Sequence, residues 1–239
     1  MRISQMVPEP IKAVLRPFVH LITRPTKYKC ELRYWREFRE SSGGRFDNSH
    51  YRQVMLSIAG EKNEEFVKGK VLADFGCGPC GSLAWAKQAA LRIGLDVLAD
   101  QYADAFKSEI LTHNMIYVTT TEEAIPLPNE IVDVMFTMNA IDHVDKLTSM
   151  SKEIWRVLKP GGDLIASFNL GEPPSFTEPQ VLSEASLKQN LLQNMNVISY
   201  RIAPRGPDID RYGPMLRGAS GYGENGMAIL WVRAMKPVH

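Results

Sequence analysis

The sequence has few cysteines, little net charge and no long apolar run, and each of these features excludes a class of protein. Three cysteines in 239 residues are too few for a fully paired disulfide framework, so we expect a reducing compartment. No apolar run reaches the roughly 18 residues of a membrane span, and no transmembrane helix is expected. The first residues are interrupted by Pro8, Pro10 and Pro17 and do not resemble a secretory signal, which favours a cytoplasmic location.

Charge is balanced over the whole chain but is unevenly distributed along it. Lysine and arginine number 28 against 27 aspartates and glutamates, a net charge of +1. Residues 1–40 carry nine basic and four acidic residues, which leaves the remainder of the chain acidic. The acidic part has no basic stripe, so no nucleic-acid partner is expected. A hydrophobic content of 44% and a charged content of 23% are ordinary for a globular protein and exclude a disordered chain.

Residues 1–65 are predicted to form a helical extension, because they contain no strand signal. Apolar residues within 11–22 recur at helical spacing, with basic residues on the opposite face. We expect this segment to pack on the protein or on a second copy of it, and the alternative is weak binding to a membrane surface. Two further helices are predicted, over 28–40 and between Asn48 and Gly60.

From Lys70 onward, short apolar runs alternate with helical patterns. The predicted strands are Val71–Asp74, Leu91–Val97, Met115–Val118, Ile131–Met138, Asp163–Asn169, Val197–Ala203 and Ala228–Ala234. Helices are expected between them near 82–90, 101–111, 146–158 and 179–194. This alternation predicts an α/β domain over 66–239, with a doubly wound, mostly parallel sheet of seven strands. Ligands of such sheets bind beyond the carboxyl ends of the strands.

A glycine-rich turn follows the first predicted strand. Gly76, Gly78 and Gly81 fit the pattern G-x-G-x-x-G, and Asp96 lies 20 residues after Gly76, at the end of the second strand. The glycines allow a tight turn and a close approach of a ligand to the backbone. Because the Asp96 carboxylate can accept hydrogen bonds from two ribose hydroxyls, these residues predict an adenosine-containing cofactor.

A second carboxylate, Asp74, distinguishes between cofactors of this kind. It lies at the end of the first strand, two residues before Gly76. Two like charges about 4 Å apart repel by about 4 kcal/mol at an effective dielectric near 20, so Asp74 opposes a diphosphate and favours a cation. S-adenosylmethionine carries an ammonium group and a sulfonium. A role of Asp74 in capping a helix or forming the turn is the alternative.

Four stretches of the chain resemble the class I S-adenosylmethionine-dependent methyltransferases. They occur in the order of that family and lie roughly within residues 65–170, as Val71–Gly81, Gly94–Val97, Ile125–Phe136 and Arg156–Gly162. The chain departs from the family at Cys80, where a third glycine is more common. The resemblance implies a Rossmann-like methyltransferase fold, S-adenosylmethionine as the cofactor and an enzyme that transfers its methyl group.

The resemblance also implies roles for individual residues. The implied cofactor-binding residues are Asp74 for the methionine ammonium, Gly76 and Gly78 along the methionyl chain, Phe75 and Cys77 in the same turn, Asp96 for the ribose, Val97 against the adenine, Thr121 and Glu122 at the adenine edge, and Asn139 after the fourth strand. His143 is the best-placed general base, with Asp142 orienting it or acting itself. A structural role for His143 is the alternative, and His50 is a second candidate. No metal-ligand constellation follows the strands, so no metal is expected.

We therefore expect methyl transfer to a small-molecule acceptor, at oxygen rather than at nitrogen or carbon. The residues leave two alternatives open: an NAD(P)-dependent oxidoreductase, and a non-catalytic protein that keeps the fold for assembly. Cys77-Gly-Pro-Cys80 has thioredoxin-type spacing but lies inside the glycine-rich turn. The aromatic residues of 1–40 and the long Arg- and Tyr-containing loop 204–226 are predicted to cover the acceptor.

Overall fold

A computed structural model describes residues 26–238, and a single sheet of seven strands lies at its centre. The strands are β1 (Val71–Phe75), β2 (Leu91–Asp96), β3 (Ile116–Thr119), β4 (Val132–Met138), β5 (Leu158–Leu170), β6 (Asn196–Pro204) and β7 (Ala228–Met235). Their order across the sheet is β3-β2-β1-β4-β5-β7-β6. β7 runs antiparallel to both of its neighbours, and the other pairs are parallel. The predicted mostly parallel seven-stranded sheet is confirmed.

The chain changes direction across the sheet at β1, which pairs with β2 on one side and with β4 on the other. Both faces of these strands are buried. Ala73 and Phe75 pack into the apolar cluster on one face, whereas Leu72, Val134 and Phe136 pack into the cluster on the other. Burial on both faces explains why the strands read as continuous apolar runs. The gap beyond β1 and β4 is the place where ligands of such sheets bind.

The helical elements lie before, between and after the strands. The α-helices are α1 (Lys27–Ser41), α2 (Ser49–Ala59), α3 (Ala99–Ala105), α4 (Lys107–Ile110), α5 (Leu147–Val157), α6 (Glu184–Leu187) and α7 (Gly213–Leu216). Short 3-10 turns occupy Glu64–Val67, Ile141–His143 and Asp208–Asp210, and a π-helical turn occupies Lys188–Leu192. The helices predicted over 28–40 and from Asn48 correspond to α1 and α2. The helix predicted over 11–22 lies outside the described residues.

The helix expected over 82–90 is wrong, because this crossover between β1 and β2 consists of turns. Its backbone hydrogen bonds span three residues rather than four, as from Ala84 N to Gly81 O (3.0 Å) and from Ala86 N to Leu83 O (3.1 Å). Leu83 and Ala86 are fully buried, so the apolar spacing that suggested a helix is instead produced by successive turns. A doubly wound sheet would have a helix in this crossover, and the structure has none there.

The two N-terminal helices pack against the sheet domain in different ways. α2 buries Val54, Met55 and Ile58 in the same cluster as Trp231 of β7. α1 has no fully buried residue and rests on aromatic side chains near α3, where Leu32 and Trp35 contact a cluster that includes Tyr102 and Phe106. This packing places α1 beside the carboxyl ends of β1 and β2. The division into domains at residue 65 stays a prediction.

Within residues 26–238, no helix has both the length and the apolar character needed to cross a bilayer.

Candidate functional site

A cavity of about 740 Å³ opens beyond the carboxyl ends of β1, β2 and β4. The glycine-rich turn and the residues that follow β4 form its inner wall, whereas α1 and the segment 208–216 line it from the other side. Its size lies in the range of pockets that hold cofactors and small molecules, about 300–1,000 Å³. The sheet topology and the cavity therefore agree on one position for a ligand.

The glycine-rich turn requires glycine at two positions that face this cavity. Gly76 and Gly78 adopt left-handed φ angles of 70° and 55°, which side-chain-bearing residues rarely adopt. A Cβ atom on Gly76 would lie 2.1 Å from the Cβ of Ala140, and one on Gly78 would lie 2.8 Å from the ring of Trp35. The turn is thus held closely between the loop after β4 and α1.

Replacing Gly76 with alanine is expected to displace the turn that contains Ala140. Strain at positive φ adds about 1–2 kcal/mol and overpacking about 1–3 kcal/mol, so both melting temperature and cofactor affinity should fall. Gly69→Ala is a matched control, because Gly69 has a φ of 68° but no atom within 4 Å of an added Cβ. Thermal melts and calorimetric titration of both variants test the contact. Equal behaviour of the two variants would contradict it.

Asp74 is the penultimate residue of β1 and is 1% exposed. Ser82 Oγ donates a hydrogen bond to Oδ2, and Oδ1 is buried with no hydrogen-bond partner among residues 26–238. Burial raises the pKa of Asp74 to about 7; the Ser82 hydrogen bond opposes this rise and the charge of Asp96 adds to it. A buried polar atom without a partner is uncommon in proteins and needs an explanation, which a cationic ligand in the cavity would supply. The cationic groups of S-adenosylmethionine meet this requirement.

Asp96 joins the end of β2 to the glycine-rich turn. Its Oδ2 accepts a hydrogen bond from Gly78 N (3.0 Å), and its Oδ1 accepts one from Leu98 N (2.9 Å). Burial is the main cause that raises the pKa of Asp96 to about 7, and these backbone hydrogen bonds oppose it. Both strand-end carboxylates therefore line one cavity and are poorly solvated.

The structure places most of the other predicted cofactor residues on the cavity wall. Those that line it are Phe75, Cys77, Val97, Glu122 and Asn139. Thr121 does not line the cavity, and Thr120 does so in its place. The Thr121 hydroxyl instead accepts a hydrogen bond from Ala124 N (3.0 Å) within a local turn. The assignment of Thr121 to the adenine edge stays a prediction.

Both polar atoms of the Asn139 side-chain amide form hydrogen bonds within the protein. Its Oδ1 accepts a hydrogen bond from Ser167 Oγ (3.0 Å), and its Nδ2 donates one to the hydroxyl of Tyr212 (2.9 Å). The backbone of Asn139 has a left-handed φ of 53°, so the extended conformation of β4 ends at this residue. These contacts bring Tyr212, a residue of the loop 204–226 that was predicted to cover the acceptor, to the wall of the cavity.

Glu122 is tied to the first turn of α1. The Tyr28 hydroxyl donates to Glu122 Oε1 (2.6 Å), and Lys27 Nζ donates to the same oxygen (3.2 Å). Lys27 Nζ also donates to the backbone carbonyl of His143. Both Lys27 and Glu122 line the cavity, so these bonds attach α1 over its edge. Two segments were predicted to cover the acceptor, and residues from both of them, in α1 and in loop 204–226, line the cavity.

His143 lines the cavity, but its expected pairing with Asp142 is not what the structure shows. Asp142 is buried and is not part of the cavity lining. Within residues 26–238, the carboxylates within 4.0 Å of the His143 ring are Glu31, 4.0 Å from Nδ1, and Glu178, 3.5 Å from Nε2. His50 also lines the cavity, and burial lowers its pKa. No local pattern in the sequence relates Glu31 or Glu178 to His143.

The cysteines of the glycine-rich turn are free thiols. Both are buried, and burial raises the pKa of Cys77 well above its usual value and that of Cys80 to about 12. Thiol–disulfide exchange requires a thiolate, so this environment disfavours redox chemistry of the thioredoxin type.

Strand order, glycine-rich turn and strand-end carboxylates together define a Rossmann-like protein with a binding site for an adenosine-containing cofactor. Residues 73–166 match a family profile described as a methyltransferase domain. The chain is 35% identical over 92 residues to a malonyl-[acyl-carrier protein] O-methyltransferase of Enterobacter lignolyticus (strain SCF1). This alignment covers 38% of the chain and 36% of the relative, so the chain spans little more than a third of that relative's length.

Two solved structures have the same fold at low sequence identity. The [4+2]-cyclase SpnF superposes with a TM-score of 0.65 at 19% identity, over 90% of this chain and 97% of the cyclase. Geranyl diphosphate C-methyltransferase from Streptomyces coelicolor A3(2), crystallised with Mg²⁺, geranyl diphosphate and S-adenosyl-L-homocysteine, superposes with a TM-score of 0.55 at 16% identity, over 79% and 77% of the two chains. The match of residues 73–166 to a methyltransferase domain agrees with the resemblance of the motifs to the class I S-adenosylmethionine-dependent methyltransferases.

Proposed function

We propose that this protein transfers the methyl group of S-adenosylmethionine to an oxygen atom of a small-molecule acceptor. The observation that carries the proposal is the unpartnered, buried Oδ1 of Asp74 on the wall of the cavity. A carboxylate in this position favours a cationic ligand and opposes a diphosphate. The relative from Enterobacter lignolyticus is an O-methyltransferase, which supports oxygen as the acceptor atom.

The candidate cofactor-binding residues lie at the ends of different strands, so each would contact a different part of the cofactor. Asp74 would hold the methionine ammonium, and Asp96 would accept hydrogen bonds from the ribose. Val97 would pack on the adenine, while Gly76 and Gly78 would let the methionyl chain approach the backbone. When bound, S-adenosylmethionine supplies a methyl group on a positively charged sulfur, and its loss leaves a neutral thioether.

The protein's main contribution would be to position the acceptor beside that methyl group. Correct orientation of two reactants contributes about 7–11 kcal/mol to lowering a barrier. An acceptor hydroxyl must also lose its proton, and His143 on the cavity wall would take it. Tyr34 and Phe38 of α1 lie at the exposed edge of the cavity and would cover the acceptor.

Calorimetry and an activity assay test the proposal together. We expect the protein to bind S-adenosylmethionine and S-adenosylhomocysteine but not NAD or NADP. We also expect it to release S-adenosylhomocysteine when incubated with S-adenosylmethionine and a panel of carboxylic acids, phenols and alcohols. Binding of NAD would instead support the oxidoreductase alternative. Binding of S-adenosylmethionine without turnover, across acceptors with oxygen, nitrogen and carbon nucleophiles, would support the assembly alternative.

A further inference from the structure

The helix that covers the cavity, α1, reaches His143 at two points. Lys27 and Glu31 are four residues apart, so their side chains lie on the same helical face. Lys27 Nζ donates to the backbone carbonyl oxygen of His143, and Glu31 Oε1 lies 4.0 Å from Nδ1 of its ring. Both residues precede the segment 73–166 that matches the methyltransferase profile. The contact therefore joins His143, inside the matched segment, to a helix that the family match does not cover.

The two nitrogens of the His143 ring have different surroundings. Nδ1 is buried, has no hydrogen-bond partner in the described part of the chain, and faces Glu31, whose side chain is 18% exposed. Nε2 faces Glu178, which is 39% exposed and belongs to the segment between β5 and α6. The Nδ1 side is thus the enclosed side of the ring. An acceptor would reach Nε2 by displacing the exposed side chain of Glu178.

We propose that Glu31 is a positioning residue that holds His143 with Nε2 ready to accept a proton, an inference that rests on the proposed methyl transfer. In the complex with the acceptor, Glu31 would close the 4.0 Å gap to Nδ1 and accept its hydrogen, which leaves the lone pair on Nε2. The proton of the acceptor hydroxyl then passes to Nε2. The hydroxyl oxygen bonds to the methyl carbon as the carbon–sulfur bond breaks, and the electron pair of that bond stays on sulfur. This is the arrangement of nucleophile, base and orienting group that recurs in proton-abstracting sites.

The charges around His143 agree with this role. The acidic groups near the ring are Glu31 from α1, Glu178 from the loop after β5, Asp142 next to His143 in sequence and Asp96 at the end of β2. The ammonium of Lys27 lies at the backbone carbonyl of His143. Burial is the main cause that raises the pKa of Glu31, while His143 and Lys27 favour its ionised form. A carboxylate beside Nδ1 stabilises the imidazolium that forms when Nε2 takes a proton. His143 therefore has its orienting carboxylate only when α1 packs over the cavity.

Kinetics of Glu31→Gln in the full chain test the proposal, because this change removes the charge and keeps the shape. We expect kcat to fall at least tenfold, with the Kd of S-adenosylmethionine and the KM of the acceptor changed less than threefold. Glu31→Asp keeps the charge and should recover part of the lost kcat. Glu37→Gln is the matched control, since Glu37 is exposed on the same helix and does not line the cavity. An unchanged kcat in Glu31→Gln would overturn the proposal.

A spectroscopic measurement separates positioning from a merely structural effect. The ¹⁵N chemical shifts of the His143 ring report which nitrogen carries the hydrogen, and we expect Nδ1–H in the wild type and more Nε2–H in Glu31→Ala. The same tautomer in both proteins would overturn the inference. Failure of the wild type to methylate any acceptor would refute the proposed function, while the tautomer still decides whether Glu31 orients His143. Full activity of His143→Ala would overturn the inference and leave methyl transfer intact.

Discussion

Replacing Asp74 with asparagine is expected to weaken S-adenosylmethionine binding more than 100-fold and to raise the melting temperature of the cofactor-free protein. Removing one partner of a buried ion pair costs about 3–5 kcal/mol, which is the origin of the affinity loss. In the free protein, the carboxylate has one oxygen without a partner, and its pKa is raised from 3.8 to about 7. At pH 8 this shift corresponds to roughly 4 kcal/mol of destabilisation that the amide would largely avoid.

Calorimetric titration and thermal melts at pH 8 measure both effects in the same preparations. Asp100→Asn is the control, because Asp100 is an exposed aspartate at the start of α3 that does not line the cavity. It should change neither affinity nor melting temperature. Unchanged affinity in Asp74→Asn would refute the role of Asp74 in holding the ammonium. A lowered melting temperature together with lost affinity would show that the Asp74 carboxylate stabilises the fold. It would contradict the view that this buried charge destabilises the cofactor-free protein.

Acidification is expected to release the cofactor between about pH 7 and pH 5. The pKa of Asp74 in the free protein is about 7, and protonation removes the negative charge that attracts the ammonium group. The Kd should therefore be constant above pH 8 and rise about tenfold for each pH unit below 7. Titrations from pH 5.5 to 8.5 test this dependence. Asp74→Asn should lose this dependence, which separates Asp74 from Asp96, whose pKa is also about 7. A wild-type Kd that is independent of pH would contradict the prediction.

The same pKa values give the opposite pH dependence for the stability of the cofactor-free protein. The folded-state pKa values of Asp74 and Asp96 are raised above 3.8, so the folded state binds more protons than the unfolded state between about pH 4 and 7. Stability from these two groups therefore rises as the pH falls through 7 towards 4. Binding and stability should thus respond to acid in opposite directions, because the site keeps two poorly solvated carboxylates ready for a ligand.

The strands and the glycine-rich turn were predictable because their signals are local. A continuous apolar run that ends in Asp74 or Asp96 marks a buried strand and its carboxyl end within a few residues. The crossover 82–90 was not predictable in the same way. Its buried Leu83 and Ala86 are three residues apart, and this spacing is compatible both with a helix and with successive turns.

The sequence by itself determined the sheet and the residues at its strand ends, including Asp74, Asp96 and His143. Only the tertiary structure decided what covers them. Lys27 lies 95 residues from Glu122 and 116 residues from His143 along the chain. The carboxylates within 4.0 Å of the His143 ring in the described part of the chain are Glu31 and Glu178, not the neighbouring Asp142. The physical reason is that periodicity and spacing report the conformation of neighbouring residues. Contacts between distant segments depend on how helices pack against the finished sheet.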